Sequence, residues 1–237
     1  MSFVSLWFVL RDCSKIGLSL VQYIAMTLIA VIDYDMGNLH SACKGLETVG
    51  AVPKITDSPL DLEKADAIVL PGVGSFDPAV RQIRSRHLEK PIKAAIANGK
   101  PFLGICLGLQ ILFDSSEEGQ EAGLGVIPGT VRRFRSEPGI TIPHMGWNQL
   151  NFTQPDHALW QGLPPHPHVY FVHSYYVDPL DSHLTAATVS HGSQMVTAAI
   201  ARERLVAVQF HPEKSSTNGL KILANFVEQV QKLALVS

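Results

Sequence analysis

The sequence predicts an α/β fold: an open, mostly parallel central sheet flanked by helices, with antiparallel β additions in the second half. Three observations predict it. After residue 26, short apolar runs of four to six residues alternate with longer segments of helical period. Beyond residue 130, short β-rich runs follow one another, joined by Gly, Pro, Asp or Ser turns. The composition, 46% hydrophobic and 17% charged over 237 residues, suits a globular chain with a full core.

The first half is predicted from local patterns. Apolar runs predict buried strands at residues 28–32, 67–70 and 102–105. A 3.6-residue period predicts helices at residues 39–49 and 78–98, the second ending at Gly99. Cys43 falls on the apolar face of the first helix, so we expect it in the core.

The second half is predicted to be mostly β-structure. The expected strands are residues 130–134, 169–177, 184–189, 194–201 and 205–210. A final amphipathic helix is predicted at residues 219–233. Because no repeat and no domain-scale linker interrupts the chain, residues 26–237 are interpreted as one domain.

Charge and cysteine usage exclude several classes of function. A formal net charge of -2 provides no basic field, so nucleic acid is not expected as a ligand. Three widely spaced cysteines fit neither a disulfide framework nor a CxxC metal site, which indicates a reducing, cytoplasmic location. His166 and His168 are surrounded by prolines and have no acidic or thiol partner at ligand spacing, so no metal is predicted.

The first 25 residues do not match the rest of the chain. Residues 16–32 carry no charge, and these 17 residues reach the lower limit for a membrane helix. A membrane helix over these residues would include residues 28–32, which are better explained as a buried strand, so we predict no membrane span. We also reject a secretory signal, because no basic residue precedes the apolar run. We predict that translation starts at Met26, and mass spectrometry of the native N-terminus tests this: a terminus at Met1 or Ser2 contradicts it.

A cysteine at the end of a predicted strand has the layout of a nucleophile elbow. The segment Gly104-Ile105-Cys106-Leu107-Gly108 follows an apolar strand and opens a helical segment. The glycines allow a tight turn that exposes the thiol, and the helix N-terminus favours the thiolate. A small buried hydrophobic residue is the alternative interpretation.

Two further patterns follow predicted strands. His211 and Glu213 stand two residues apart, where a histidine can act as the base and a carboxylate can orient it. Gly72 and Gly74 allow backbone amides to stabilise an oxyanion together with the Leu107 amide. Each pattern alone has an ordinary alternative: a strand-end histidine beside a solvated glutamate, and a simple Pro-Gly turn. Their shared position at carboxyl ends of strands favours one site.

Together the motifs resemble those of the triad, or class I, glutamine amidotransferases. The resemblance rests on residues 104–110 (GICLGLQ) and 211–215 (HPEKS) and covers the chain from about Met26. Within the superfamily, four stretches are similar to the glutaminase subunits that serve imidazole glycerol phosphate formation: residues 32–39, 70–76, 143–148 and 171–175. Asp35 departs from the pattern, since the family often has glycine there.

The resemblance implies an activity and its residues. Cys106 would attack the side-chain amide of glutamine, and His211, with Glu213, would move the protons that release ammonia and then glutamate. Gln110, Ser174, Tyr175 and the turn at Gly72 would hold glutamine. No cofactor is implied.

The resemblance also implies a partner. Ammonia would pass to a separate (β/α)₈ cyclase subunit, with Met145, Trp147 and Asn148 at the interface, although a tryptophan is more often a core residue. The family further links occupancy of the cyclase site to a rearrangement of the Gly-rich turn, which implies that the glutaminase by itself is nearly idle.

Three rival functions stay open at this point. They are a glutaminase serving a pyridoxal or nucleotide synthase, a non-catalytic scaffold with the same fold, and an unrelated thiol hydrolase or peptidase. The synthase subunit that co-purifies with the protein distinguishes a glutaminase for another pathway. The intact trio of Cys106, His211 and Glu213 argues against a non-catalytic scaffold. Cleavage of esters or peptides without a partner would favour an unrelated hydrolase or peptidase.

Overall fold

The structure is a computed structural model that describes residues 27–235, and the predictions on the first 25 residues lie outside this range. The strands within it are β1 (Leu28–Ile32), β2 (Val52–Thr56), β3 (Ala67–Gly72), β4 (Phe102–Cys106), β5 (Phe113–Ser116), β6 (Ile127–Arg133), β7 (His144–Gln149), β8 (Asn151–Phe152), β9 (His168–His173), β10 (Tyr175–Pro179), β11 (Thr185–His191), β12 (Gln194–Arg202) and β13 (Leu205–Val208). The helices are α1 (Leu39–Thr48), α2 (Pro59–Lys64), α3 (Phe76–Ser85), α4 (Glu89–Ala97), α5 (Leu107–Gln110) and α6 (Ser216–Ala234).

One large sheet runs through the described part of the molecule. Its strand order is β2-β1-β3-β4-β13-β12-β10-β6-β5, with β11 also paired to β12 and β8 paired to β11. The first five strands in this order pair in parallel: β2 with β1, β1 with β3, β3 with β4, and β4 with β13. Strand β12 pairs antiparallel with β13 and with β10, and β10 pairs antiparallel with β6. A separate antiparallel pair is formed by β7 and β9. The predicted α/β class, with antiparallel additions in the second half, is confirmed.

Helices cover both faces of the parallel strands. In β1, Ile29 and Val31 belong to one buried cluster, and Ala30 and Ile32 to the other, as the period of two requires. The first cluster packs against α1 and α6, and it includes Cys43, as predicted from the periodicity. The second cluster packs against α2, α3 and α4.

Two predicted elements are each divided in the structure. The predicted helix at residues 78–98 is two helices, α3 and α4, because the chain turns at His87, whose φ is +58°. At this turn the Arg86 guanidinium pairs with the carboxylates of Asp35 and Asp57. The predicted strand at residues 169–177 divides at Ser174, where the chain leaves the β7–β9 pair and enters the large sheet as β10.

Asp35, the departure from the family pattern, lies in a left-handed turn. Its φ is +64°, a conformation that glycine adopts at lower cost than other residues. The Asp33 carboxylate accepts a hydrogen bond from the Asp35 amide at 3.1 Å, and Arg86 pairs with the Asp35 side chain. These contacts help to hold an aspartate in this conformation.

The register of the parallel strands brings the sequence motifs together. Gly72 in β3 is level with Cys106 in β4, and Ile105 is level with Val208 in β13. The three motifs therefore leave neighbouring strands at one edge of the sheet.

No helix within residues 27–235 is both long enough and apolar enough to cross a membrane.

Candidate active site

Cys106 lies on a strained turn between β4 and α5. Its φ is +55° and its ψ is -109°, a region that is costly for a residue with a side chain. The flanking glycines leave space for this turn: a Cβ at Gly108 would lie 1.8 Å from the Leu70 carbonyl oxygen. The predicted helix after the thiol is the four-residue α5, so its dipole is small.

His211 and Glu213 form a buried pair beside Cys106. The distance from His211 Nδ1 to Glu213 Oε1 is 2.8 Å, and the two side chains are 2% and 3% exposed. Because Nδ1 donates to the carboxylate, Nε2 is the nitrogen available to the thiol, and it has no well-aligned partner among residues 27–235. Burial lowers the pKa of His211, but the neighbouring Cys106 and Glu213 outweigh it and raise the pKa to about 9.

A cavity of about 310 Å³ opens over Cys106 and His211. Five of the six residues expected to hold the substrate line it: Gly74, Leu107, Gln110, Ser174 and Tyr175. Sequence reasoning gave no role to two polar residues of the lining, His173 and Glu118. The Glu118 carboxylate also accepts a hydrogen bond from the Phe76 amide at the start of α3. The volume is at the lower end of the range for small-molecule sites.

Gly72, the sixth residue, lies behind the cavity in tight contact with its neighbours. A Cβ at this position would lie 2.2 Å from the Tyr34 hydroxyl and 2.9 Å from Leu107 Cβ, so only glycine fits. The next amide, that of Val73, donates to the Met36 carbonyl at 2.7 Å. In this conformation the Val73 N–H is therefore occupied and does not serve an oxyanion.

The strand β7 carries the residues expected at an interface. Met145 and Trp147 are 62% and 53% exposed, on the same side of the strand, so Trp147 is not a core residue. Asn148 differs from them, because its amide donates to His144 Nε2 at 3.1 Å and to the Ser190 carbonyl at 2.8 Å. Two exposed large apolar side chains on one strand are typical of a protein contact.

Two buried histidines join β7 to the cavity. His144 Nδ1 lies 3.0 Å from His173 Nε2, and His173 Nδ1 lies 2.8 Å from the Tyr175 carbonyl. Burial, with a smaller effect of His191, lowers the pKa of His144 to about 4. For His173, burial outweighs the hydrogen bond to Tyr175 and lowers the pKa to about 3. Both rings are neutral at pH 7.

We expect these rings to make stability depend on pH. Both pKa values are below the unfolded value of about 6.5, so the stabilisation is complete above pH 6.5 and is lost as the pH falls toward 4. Each ring costs on the order of 2 kcal/mol at pH 5. The free energy of unfolding is measured by urea denaturation at pH 7 and at pH 5. Between these two pH values it should fall less for His173→Asn than for the wild type. His166→Asn, at an exposed position, should match the wild type; an unchanged slope in His173→Asn contradicts the assignment.

No cluster of three or more His, Cys, Asp or Glu side chains in residues 27–235 could hold a metal ion. The groups that converge on the cavity are a thiol, an imidazole with its carboxylate, and carboxamides. This set suits covalent attack on a carbonyl carbon with proton transfer.

The sequence matches a family model and highly similar curated proteins. The family model for glutamine amidotransferase class-I matches residues 30–230. The imidazole glycerol phosphate synthase subunit HisH of Microcystis aeruginosa is 96% identical over 212 residues, which cover 90% of this chain and 100% of that protein. The subunit of the same name from Gloeothece citriformis is 74% identical over 210 residues, 89% of this chain and 100% of that protein.

Solved structures show the same fold at low identity. A glutamine amidotransferase has a TM-score of 0.67 at 19% identity, with 86% of this chain and 98% of that chain covered. The PurLQS structure from Thermotoga maritima has a TM-score of 0.65 at 21% identity, with 89% of this chain and 100% of that chain covered.

The match over residues 30–230, on this fold, places the molecule in glutamine amidotransferase class I. Within that class, the chain belongs to the family of imidazole glycerol phosphate synthase HisH subunits.

Proposed function

We propose that this protein hydrolyses glutamine at the cavity over Cys106 and supplies the ammonia to imidazole glycerol phosphate synthase in histidine biosynthesis. The observation that carries the proposal is the buried His211–Glu213 pair, 2.8 Å apart, beside a cysteine held on a strained strand-to-helix turn. The names of the highly similar relatives support the assignment to this synthase.

The reaction proceeds by two acyl transfers. The Cys106 thiolate attacks the carboxamide carbon of glutamine, and His211 holds the proton that the thiol has lost. When the tetrahedral intermediate collapses, the C–N bond breaks, His211 protonates the leaving nitrogen, and a glutamyl thioester and ammonia result. His211 then takes a proton from water, whose oxygen attacks the thioester, and glutamate leaves as the thiol is restored. Glu213 keeps the imidazole in the tautomer that presents Nε2 to the sulfur.

The remaining lining residues hold the substrate. Gln110, Ser174 and Tyr175 offer polar groups in the lining of the cavity. Glu118 supplies a carboxylate in the lining, which suits the α-ammonium group of glutamine.

The oxyanion site includes the amide of Leu107 and the turn from Gly72 to Gly74. Since the Val73 N–H donates to Met36, the turn has to rearrange before this amide can face the intermediate. Gly74, with φ +97°, provides a hinge for such a change. This need for rearrangement supports the expectation that the protein by itself is nearly idle.

The partner is the cyclase subunit. It is a (β/α)₈ barrel that receives ammonia and closes the imidazole ring. Met145 and Trp147 are its contact residues on β7, and Asn148 holds that strand from within through His144 and Ser190. The complex acts in the cytoplasm, and neither a membrane nor a nucleic acid takes part.

Trp147→Ala is expected to weaken the complex. Truncating an exposed aromatic anchor at an interface costs about 2 kcal/mol or more, which is a loss of about 30-fold in affinity. Titration calorimetry with the cyclase measures it. Leu180→Ala, at another exposed apolar side chain, is the matched control and should bind as the wild type. Equal affinities for Trp147→Ala and the wild type would place the interface elsewhere.

The experiment that tests the proposal identifies the partner and the product. The protein is purified from its native source, and the associated synthase component is identified by mass spectrometry. We expect a cyclase that forms imidazole glycerol phosphate when glutamine is the nitrogen source. Association with a pyridoxal or nucleotide synthase would overturn the pathway assignment but keep the glutaminase chemistry.

A further inference from the structure

A chain of hydrogen bonds between buried carboxamides ends on the catalytic sulfur. Gln110 Nε2 donates to the Tyr175 carbonyl at 3.1 Å and to Gln209 Oε1 at 3.0 Å. Gln209 Nε2 in turn donates to Cys106 Sγ at 3.6 Å. Gln209 is fully buried, and neither of its side-chain polar atoms lacks a partner.

The direction of this chain is fixed by one backbone group. The Tyr175 carbonyl can only accept, so Gln110 must present its NH₂ group to it. The same NH₂ group lies against Gln209, which therefore presents its oxygen there and its own NH₂ group to the sulfur. The alternative amide orientation of Gln209 would place two NH₂ groups face to face and leave the thiolate next to an oxygen.

The Tyr175 carbonyl is itself held from the other side. His173 Nδ1 donates to it, His144 Nδ1 donates to His173 Nε2, and Asn148 donates to His144 Nε2. Each neutral ring then has one donor and one acceptor nitrogen in use, so the arrangement is consistent along its length. The acceptor that orients the carboxamides is thereby anchored to β7.

We propose that Gln209 is a positioning residue for the nucleophile, whose carboxamide holds the Cys106 sulfur and stabilises its thiolate. Gln209 and His211 are two residues apart and both lie beside Cys106: the uncharged Gln209 amide donates to the sulfur, and the His211 ring is near enough for Cys106 to raise its pKa. A hydrogen bond to an anion is stronger than one to a neutral group, so the donor favours thiolate over thiol. This inference rests on the proposed role of Cys106.

The test measures the thiol directly. Gln209→Met keeps the length of the side chain but removes the donor, and Gln209→Glu keeps the shape and the contact with Gln110 but replaces the donor with a carboxylate. Both are made in a Cys13→Ala/Cys43→Ala background, which leaves Cys106 as the remaining thiol of the three. The rate of alkylation by iodoacetamide is followed against pH, and kcat and KM for glutamine are measured in the complex with the cyclase.

For Gln209→Met we expect the alkylation midpoint to rise by about one pH unit and kcat to fall about tenfold, with KM within twofold of the parent. Gln209→Glu should shift the midpoint further in the same direction. The proposal is overturned if the alkylation midpoint and kcat are both unchanged. It is also overturned if only KM increases, because Gln209 would then contribute to glutamine binding and not to the state of the thiol. If Gln209→Met does not fold, Gln209→Glu carries the same test.

The outcomes separate this inference from the proposed function. If Gln209 has no positioning role, its variants still lose activity when Cys106 is alkylated. If Cys106 is not the nucleophile, glutamine turnover survives in Cys106→Ala, a substitution that, unlike alkylation, leaves the cavity open.

Discussion

Cys106→Ala is expected to abolish glutamine-dependent product formation by the complex, while ammonia-dependent cyclisation continues at the wild-type rate. The reason is that only the source of ammonia is lost when the thioester cannot form. Removing a nucleophile that acts with its base as a unit typically costs a factor on the order of 10⁴ or more. The two activities are measured in the same preparation, with glutamine or with an ammonium salt as the nitrogen source.

Cys43→Ala is the matched control for this variant. Cys43 is also a free, buried cysteine, but it packs in the core against α6 and lies away from the cavity. Its replacement should cost about 1 kcal/mol of stability and leave both activities unchanged. Glutamine turnover that survives in purified Cys106→Ala complex would remove Cys106 from the nucleophile role.

His211→Gln is expected to lower kcat for glutamine by a factor of about 10² to 10⁴, the usual contribution of a general acid–base group. The glutamine side chain keeps a polar atom near the position of Nε2 but cannot accept and return a proton. The alkylation rate of Cys106 at pH 7 should fall as well, because the cation with a pKa of about 9 that pairs with the thiolate is gone.

His168→Gln serves as its control, since His168 is exposed at the start of β9. It should leave kcat and the alkylation rate within twofold of the wild type. If His211→Gln alkylates and turns over at the wild-type rate, then the base is another group and the His211–Glu213 pair is structural.

The fold was predictable where the local pattern and the packing agree. The buried strands β1, β3 and β4 are uninterrupted apolar runs, and the period of α1 placed Cys43 in the core. The edge strand β2 was missed, because Pro53 and Lys54, which an edge position tolerates, interrupt the apolar pattern. The division between α3 and α4 was also missed, since it lies at His87, whose left-handed backbone conformation is not indicated by the sequence pattern.

The site was predictable as far as short motifs report it. Spacing indicated Cys106, His211 and the Gly-rich turn, and the sheet register brings these to one edge. Gln209 had a usable signal, because it lies in the strand predicted at residues 205–210, two residues before the assigned His211, and residues two apart in an extended chain share a face. Glu118 had none, since it reaches the cavity from the loop after β5, and the occupied Val73 amide is a property of the folded backbone.

Glutamate release from glutamine tests both the glutaminase activity and its dependence on the partner. It is measured for the purified protein by itself, with the cyclase, and with the cyclase plus its nucleotide ligand. We predict slow release by the protein without its partner, because the Val73 amide is occupied by Met36, and a sharp increase only with the liganded partner. Fast release without the partner would contradict the need for rearrangement, and no release under any condition would contradict the glutaminase assignment itself.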